Sequence, residues 1–297
     1  MEIGEKIKSL RLAKHMTQAE LAGDQITRNM LSLVENGSAL PSLPTVIYLS
    51  ERLGISAGML LAREEEEAMY RKISELPNIK SLYAAGEYRL CIDICESLPH
   101  EQMDDEINLV LSKCWFELAK ESFNMGHLHR CVHSFDKACE YSRKTIYSDE
   151  GLFSMIATYF EYMLRLSPTL SSDAGNDAYD GRQICTDEFC RYAISIKAYD
   201  DGSYEAEMHG FELSESGTES FSEHLKARSE MKNGDFSSAK IRLKRLLNGE
   251  LECCVIMYDI FKDLEECCRL TDDYRGAYEY SVDKVNLLER MLREDIV

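Results

Sequence analysis

The chain has 297 residues, 44% hydrophobic and 29% charged, a globular composition with room for about two domains. No apolar run reaches 18 residues, and the amphipathic, acid-containing start MEIGEKIKSLRLAKH does not read as a secretion signal, so a cytoplasmic protein without a membrane span is expected. The net charge of −19 is unevenly held: residues 1–63 carry seven Lys/Arg and six Asp/Glu, the remainder 27 and 47, so only the first part can approach a phosphate backbone.

The spacing of Ile3, Ile7 and Leu10 predicts a helix from about Ile3 to His15. T-Q-A-E follows, with Thr17 as N-cap and Glu20 three residues on, a capping box for a short helix that buries Leu21 and Ala22 and ends at Gly23. A third helix starts near Ile26 or Thr27, buries Leu31 and Val34 and stops at Asn36-Gly37. A fourth, in SLPTVIYLSERLGIS, is expected to turn Leu43, Ile47, Leu49 and Leu53 inward, and Ser56 caps a fifth, AGMLLA. Two helices joined by a tight glycine turn make a helix-turn-helix, whose second helix enters the major groove with its first residues at the base edges. That places Thr27, Arg28, Asn29, Ser32 and Leu33 at the groove. Arg28 can take guanine, Asn29 adenine, Thr27 and Ser32 a base or phosphate, and Leu33 with Met30 a thymine methyl. The start of the second helix, with Thr17 and Gln18, suits a phosphate.

IGEKIKSLR, TQAELA, ITRNMLSLVENG, LPSLPTVIYLSERLGIS and AGMLL, in that order over residues 3–61, resemble the phage-repressor-like helix-turn-helix domain of the XRE family. The resemblance implies that Gln18, Thr27, Arg28, Asn29 and Leu33 lie near the groove, that Asn36 contacts the DNA backbone, and that Arg11 and Glu35 form a structural pair joining the first and third helices. Met30, Ser32 and Leu33 make the outer face less polar than the family's usual one.

After REEEEAMYRK (63–72), read as the solvated face of a linker helix, a pattern recurs: GEYRLC from 86, GHLHRC from 126, GSYEAE from 202, GDFSSA from 234 and DDYRGA from 272. A Gly or Asp turn is followed two residues on by an aromatic or Leu and three further by a small residue, except Glu207. Such self-similarity marks stacked helical hairpins, five or six over about 72–294. They resemble degenerate tetratricopeptide (TPR) repeats. The stretch 167–183 reads as a solvated connection.

The predicted protein is therefore all-α. A five-helix helix-turn-helix domain (1–63) is followed by a linker helix (64–72) and a TPR-like solenoid of helical hairpins (73–297). That combination is similar to the peptide-pheromone-responsive, quorum-sensing regulators of Gram-positive bacteria. The resemblance implies a transcription regulator that binds double-stranded DNA at an inverted repeat as a homodimer, with a signalling peptide in the repeat groove. Asn108 and Asn286, on repeat helices, are the candidate clamps for the peptide backbone. Two alternatives stay open: a DNA-tethered scaffold whose repeats dock a partner protein, and an interaction module without DNA binding. No catalytic motif occurs, so no enzyme and no cofactor are expected. His127, His129 and His133 read as surface residues rather than a metal site. The eleven cysteines, within helical patterns and without C-x-x-C, read as small buried apolar residues.

Overall fold

Hydroxyl side chains start four of the first five helices. A computed structural model describes residues 2–147, 149–172, 187–202, 219–249, 251 and 253–293. It contains α1 (Ile3–Ala13), α2 (Gln18–Ala22), α3 (Arg28–Glu35), α4 (Leu43–Leu53) and α5 (Ala57–Leu61). Thr17, Thr27, Ser42 and Ser56 each accept a backbone N–H of the first turn of the helix they precede, a contribution of about 1 kcal/mol per cap. The capping box at Thr17 is complete, with the Glu20 carboxylate receiving the Thr17 N–H at 2.6 Å. The helices enclose one small core of Ile7, Leu21, Ala22, Leu31, Val34, Val46, Leu49, Leu53 and Leu60.

One expected face is corrected. Leu49 and Leu53 are buried, but Leu43 is 63% and Ile47 43% exposed, and Val46 takes the inner place. Val46, Leu49, Ser50 and Leu53 share one helical stripe, and a stripe shifted toward Leu43 and Ile47 cannot face the same small core. Ser50 is accommodated because its hydroxyl donates to the Ile47 carbonyl at 2.8 Å. The first helix also ends earlier than expected, at Ala13, with His15 in a left-handed conformation.

Gly4 sets the distance between α1 and α3. A Cβ there would lie 2.0 Å from the Val34 carbonyl oxygen, which is backbone and cannot swing aside. Gly4→Ala is expected to destabilise the N-terminal unit by about 1–3 kcal/mol, the range for overpacking. Urea denaturation followed by amide exchange in α1 and α3 measures it; a loss below about 0.5 kcal/mol would show that α1 slides freely along α3.

Contacts group the chain into two units, Met1–Ile107 and Asn108–Val297. Beyond the five helices, the first holds α6 (Glu64–Ala84) and α7 (Tyr88–Glu96), a hairpin. The stretch read as a linker at 64–72 is thus the first part of a 21-residue helix. Then come α8 (Asp105–Asn124), α9 (Leu128–Ser142), α10 (Glu150–Leu166), α11 (Glu188–Asp200), α12 (Glu219–Lys232), α13 (Phe236–Leu247), α14 (Met257–Leu270) and α15 (Tyr274–Leu292). Successive helices pack on one another, α10 with α11, α11 with α12, α12 with α13, α13 with α14 and α14 with α15.

The repeated turns share one mechanism. Gly86, Gly126, Gly234 and Asp272 stand at equivalent places with φ of 78°, 82°, 81° and 59°. Each donates its N–H three residues back, and the next residue donates five back, as Glu87 does to Leu82 and Asp235 to Glu230. This is the left-handed Schellman ending that glycine makes without strain. Gly202 has the same sign of φ, while 203–207 of the GSYEAE turn lie outside the described residues, as does most of 167–183. The small residues Cys91, Cys131 and Ala239 are fully buried where the hairpin helices meet, and Ala277 is half-buried. The aromatic position does not fill a gap in the last hairpin: Tyr274 is 69% exposed and its hydroxyl turns back to Asp272 at 2.9 Å.

Two features of the second unit have no counterpart in the sequence reading. Phe123, Phe135, Tyr159, Tyr162, Phe189, Tyr192 and Phe221 form a continuous run of ring contacts through α8–α12. Beside it lies a buried ionic network. Arg228 donates to Asp263 at 2.6 Å and Asp200 at 3.0 Å and lies 3.7 Å from Asp259. His224 sits between the Tyr192 hydroxyl (2.7 Å) and Asp263 (2.8 Å), and Tyr162 donates to Asp259 at 2.7 Å. The sequence signal was two i,i+4 pairs, His224/Arg228 and Asp259/Asp263. The described cysteines are free thiols, all but Cys254 buried. No helix among the described residues is long and apolar enough to cross a membrane.

Candidate nucleic-acid interface

At 100° per residue, positions 28, 29, 32, 33 and 36 fall within one 140° arc of α3 and 31 and 34 on the side away from it, while 35 lies at the boundary, beside 28. Leu31 and Val34 are buried accordingly, and Glu35, the last residue of α3, is buried by its partners on α1 and α2. Arg28, Asn29, Leu33 and Asn36 are exposed, and Ser32 is half-buried. Arg28 and Asn29 have no side-chain partner among the described residues. Thr27 is exposed but its hydroxyl is engaged, accepting the Met30 N–H at 3.1 Å as the cap of α3. Met30 lies at the edge of this face, 37% exposed.

α3 is held by a polar clamp. The Arg11 guanidinium makes a two-pronged pair with Glu35, Nε to Oε1 at 2.6 Å and Nη2 to Oε2 at 2.9 Å, and its Nη1 donates to the Met16 carbonyl at 2.8 Å. Burial alone would raise the Glu35 carboxyl; hydrogen bonds from Arg11 and Gln18 outweigh it and hold it below the usual carboxylate range. The same partner raises Arg11. The Gln18 amide donates to Glu35 Oε2 at 2.8 Å. One N–H of that amide is therefore committed to the clamp, and the second stays available, because an amide NH2 carries two donors. Sequence reasoning paired Arg11 with Glu35 but missed the Gln18 link that ties the start of α2 to the end of α3.

The basic residues of this unit divide by use. Lys6 is buried, donating to the Ala62 carbonyl and paired with Glu67 at 2.6 Å. Arg52 donates to the Glu20 carbonyl at the end of α2, and the Tyr48 hydroxyl to Ala22 at 2.9 Å. Lys6 is thus withdrawn from the surface, and Arg52, though exposed, is engaged with the backbone, a division that a charge count cannot show. Of the candidate ligand residues, Asn108 is buried in α8, and Asn286 is exposed on α15. They stand on separate helices, and the geometry brings no shared site between them. His127, His129 and His133 are exposed, and no group of three metal-ligating side chains occurs among the described residues.

The helix-turn-helix family HTH_3 matches residues 7–60. No curated protein matches the chain. Among solved structures, PlcR of Bacillus thuringiensis, in complex with the peptide PapR7 and DNA, is 14% identical over 98% of this chain and 99% of that one, with a TM-score of 0.25. ComR from S. thermophilus, in complex with DNA and its signalling peptide ComS, is 16% identical over 96% and 99%, also at 0.25. The Streptococcus dysgalactiae SHP pheromone receptor Rgg2 is 12% identical over 96% and 99%, at 0.20. TM-scores this low establish no shared fold by themselves. The family match coincides with the capped helices, the clamp and the outward face of α3: residues 7–60 are a helix-turn-helix domain of the XRE type.

Proposed function

We propose that this chain is a sequence-specific DNA-binding transcription regulator, acting as a homodimer, whose DNA affinity is set by a peptide ligand bound to the helical repeats. The observation that carries the DNA-binding step is the exposed Arg28 and Asn29, without a side-chain partner among the described residues, on the first turn of a helix whose far end is locked by Arg11, Glu35 and Gln18. In this reading α3 lies in the major groove. Arg28 takes a guanine edge, Asn29 an adenine edge, and Leu33 a thymine methyl. Ser32 and Thr27 lie where base and phosphate meet. The start of α2, with the Thr17 cap and the second N–H of Gln18, holds a phosphate, and Asn36 reaches the backbone beyond. The Arg11–Glu35 pair orients the helix and touches no base. A single domain reads one half-site; two-fold pairing gives an inverted repeat with half-sites about one helical turn apart. The ligand acts by favouring one dimer arrangement over another. The reading includes no catalysis.

Selection of DNA from a random pool by the full-length protein tests this, and an inverted repeat is the expected product. No enrichment, with or without cell extract as a source of effector, would overturn it. On the selected site, Arg28→Ala is expected to lower affinity by about 10- to 100-fold, or about 1–3 kcal/mol, and to relax one base position. An equal loss on random DNA would remove the base-reading role.

A further inference from the structure

The helix α15 uses only one of its sides within the chain. Leu287 and Met291 are buried, Tyr280 stacks on Phe261 of α14, and Lys284 pairs with Glu265 of α14 at 2.6 Å. At 100° per residue these four positions lie opposite Val282. On the side of Val282 stands an apolar stripe: Tyr278 is 72%, Val285 50% and Val282 itself 38% exposed. A repeat helix whose outer side meets water is polar there. This one presents a tyrosine and two valines.

The polar residues of the same face are placed symmetrically about Val282. Arg275 stands seven positions before it and Glu289 seven after; Glu279 stands three before and Asn286 four after. With Tyr278 and Val285 they fall within an arc of about 120° centred on Val282. Arg275 and Glu289 are engaged only in exposed pairs within the helix, with Glu279 at 2.9 Å and Arg293 at 2.8 Å, and their side chains stay 90% and 54% exposed. Such pairs contribute little and do not stop a further contact. Asn286 is exposed, with no side-chain partner among the described residues. A second copy of α15 laid antiparallel, with a two-fold axis at Val282, meets this face with its complement. Val282 meets Val282, Tyr278 meets Val285, the Glu279 carboxylate meets the Asn286 amide and Arg275 meets Glu289, each contact occurring twice, as a two-fold interface requires. A parallel pairing would set Arg275 on Arg275, Glu279 on Glu279 and Glu289 on Glu289, and like charges oppose it. From Arg275 to Glu289 the face runs about 21 Å at 1.5 Å per residue. One helix pair of that length is at the small end of specific interfaces, so the pairing is reversible, and an operator that holds both copies tightens it by raising their effective concentration.

We propose that this face of α15 is where two copies of the chain pair, antiparallel and about Val282. The inference rests on the homodimer of the reading above and gives it a contact surface. It also makes Asn286 a contact between copies rather than a clamp for a peptide.

Sedimentation velocity of the full-length protein over a range of concentrations, free and on the selected operator, tests it. The wild type is expected to dimerise reversibly. Val282→Asp sets two carboxylates at the axis and is expected to weaken the dimer at least tenfold while helical circular dichroism is unchanged. Arg275→Glu and Glu289→Arg are each expected to weaken it several-fold, and together to bring it back to within about twofold of the wild type. The double variant leaves both pairs within the helix like-charged, so recovery reads the contact between copies alone. Val282→Cys is expected to cross-link two chains under mild oxidation, because identical residues meet at the axis, whereas Ile241→Cys, also exposed but on α13, is not. A dimer indifferent to Val282→Asp, charge reversals that add instead of cancelling, or no cross-link at Val282→Cys would each overturn the proposal and keep the homodimer. A wild type that stays monomeric both free and on the operator overturns the homodimer itself and the proposal with it.

Discussion

Glu35→Ala is expected to destabilise the N-terminal unit by about 3–5 kcal/mol, because it leaves the Arg11 guanidinium buried without its carboxylate. A small domain has about 5–15 kcal/mol in all, so a substantial share of its stability goes. Operator binding should fall with it although Glu35 is buried. Amide exchange in α1–α3 measures the loss, while fluorescence of Trp115, the single tryptophan, reports the second unit separately. Arg11→Met combined with Glu35→Leu should recover more than half of the stability, since the desolvation of both charges disappears together. A Glu35→Ala loss under about 1 kcal/mol would show that the clamp holds nothing. The pH dependence has a definite sign. The folded carboxyl titrates below its unfolded value, so its stabilisation is complete above the usual glutamate pKa of about 4.3 and is lost as pH falls through the lower folded value.

Arg228→Met is the second large effect. Arg228 is 1% exposed, and its removal leaves Asp263 buried beside His224, and Asp259 without its second cation. The expected cost is about 3–5 kcal/mol, a fall in Tm of roughly 6–20 °C for a unit of this size. Arg228→Met with Asp263→Leu should recover most of it, and a single variant with unchanged Tm would refute the account. Burial pushes the Asp263 carboxyl up, but Arg228 and His224 outweigh burial and hold it low. The gap between wild type and Arg228→Met should thus be widest near neutral pH and close as pH drops below about 3.9, where the wild type loses the contribution of the pair.

Much of the first unit was legible because its signals are local. A cap is a hydroxyl and an N–H two or three residues apart, so Thr17 and Ser56 marked helix starts wherever the rest of the chain went, and the structure adds Thr27 and Ser42 to them. The outward face of α3 followed from burying Leu31 and Val34, since helical periodicity leaves Arg28, Asn29 and Asn36 on the other side. Leu43 and Ile47 misled because α4 carries two adjacent apolar stripes, and periodicity alone cannot choose between them; the limited core volume chose Val46, Leu49 and Leu53.

By itself the sequence determined the helices of the first unit, the caps Thr17 and Ser56, the turns at Gly86, Gly126 and Gly234, and the outward face of α3, all set by interactions within a few residues of each other. Only the tertiary structure decided that Gln18 joins the Arg11–Glu35 clamp, that Lys6 is buried while Arg52 is tied to the Glu20 carbonyl, and that Arg228 meets Asp263 in a buried network. Those pairings join residues 17 to 56 positions apart in the chain. Which partner each charge finds depends on the burial of the helices carrying them, and no local pattern encodes that choice.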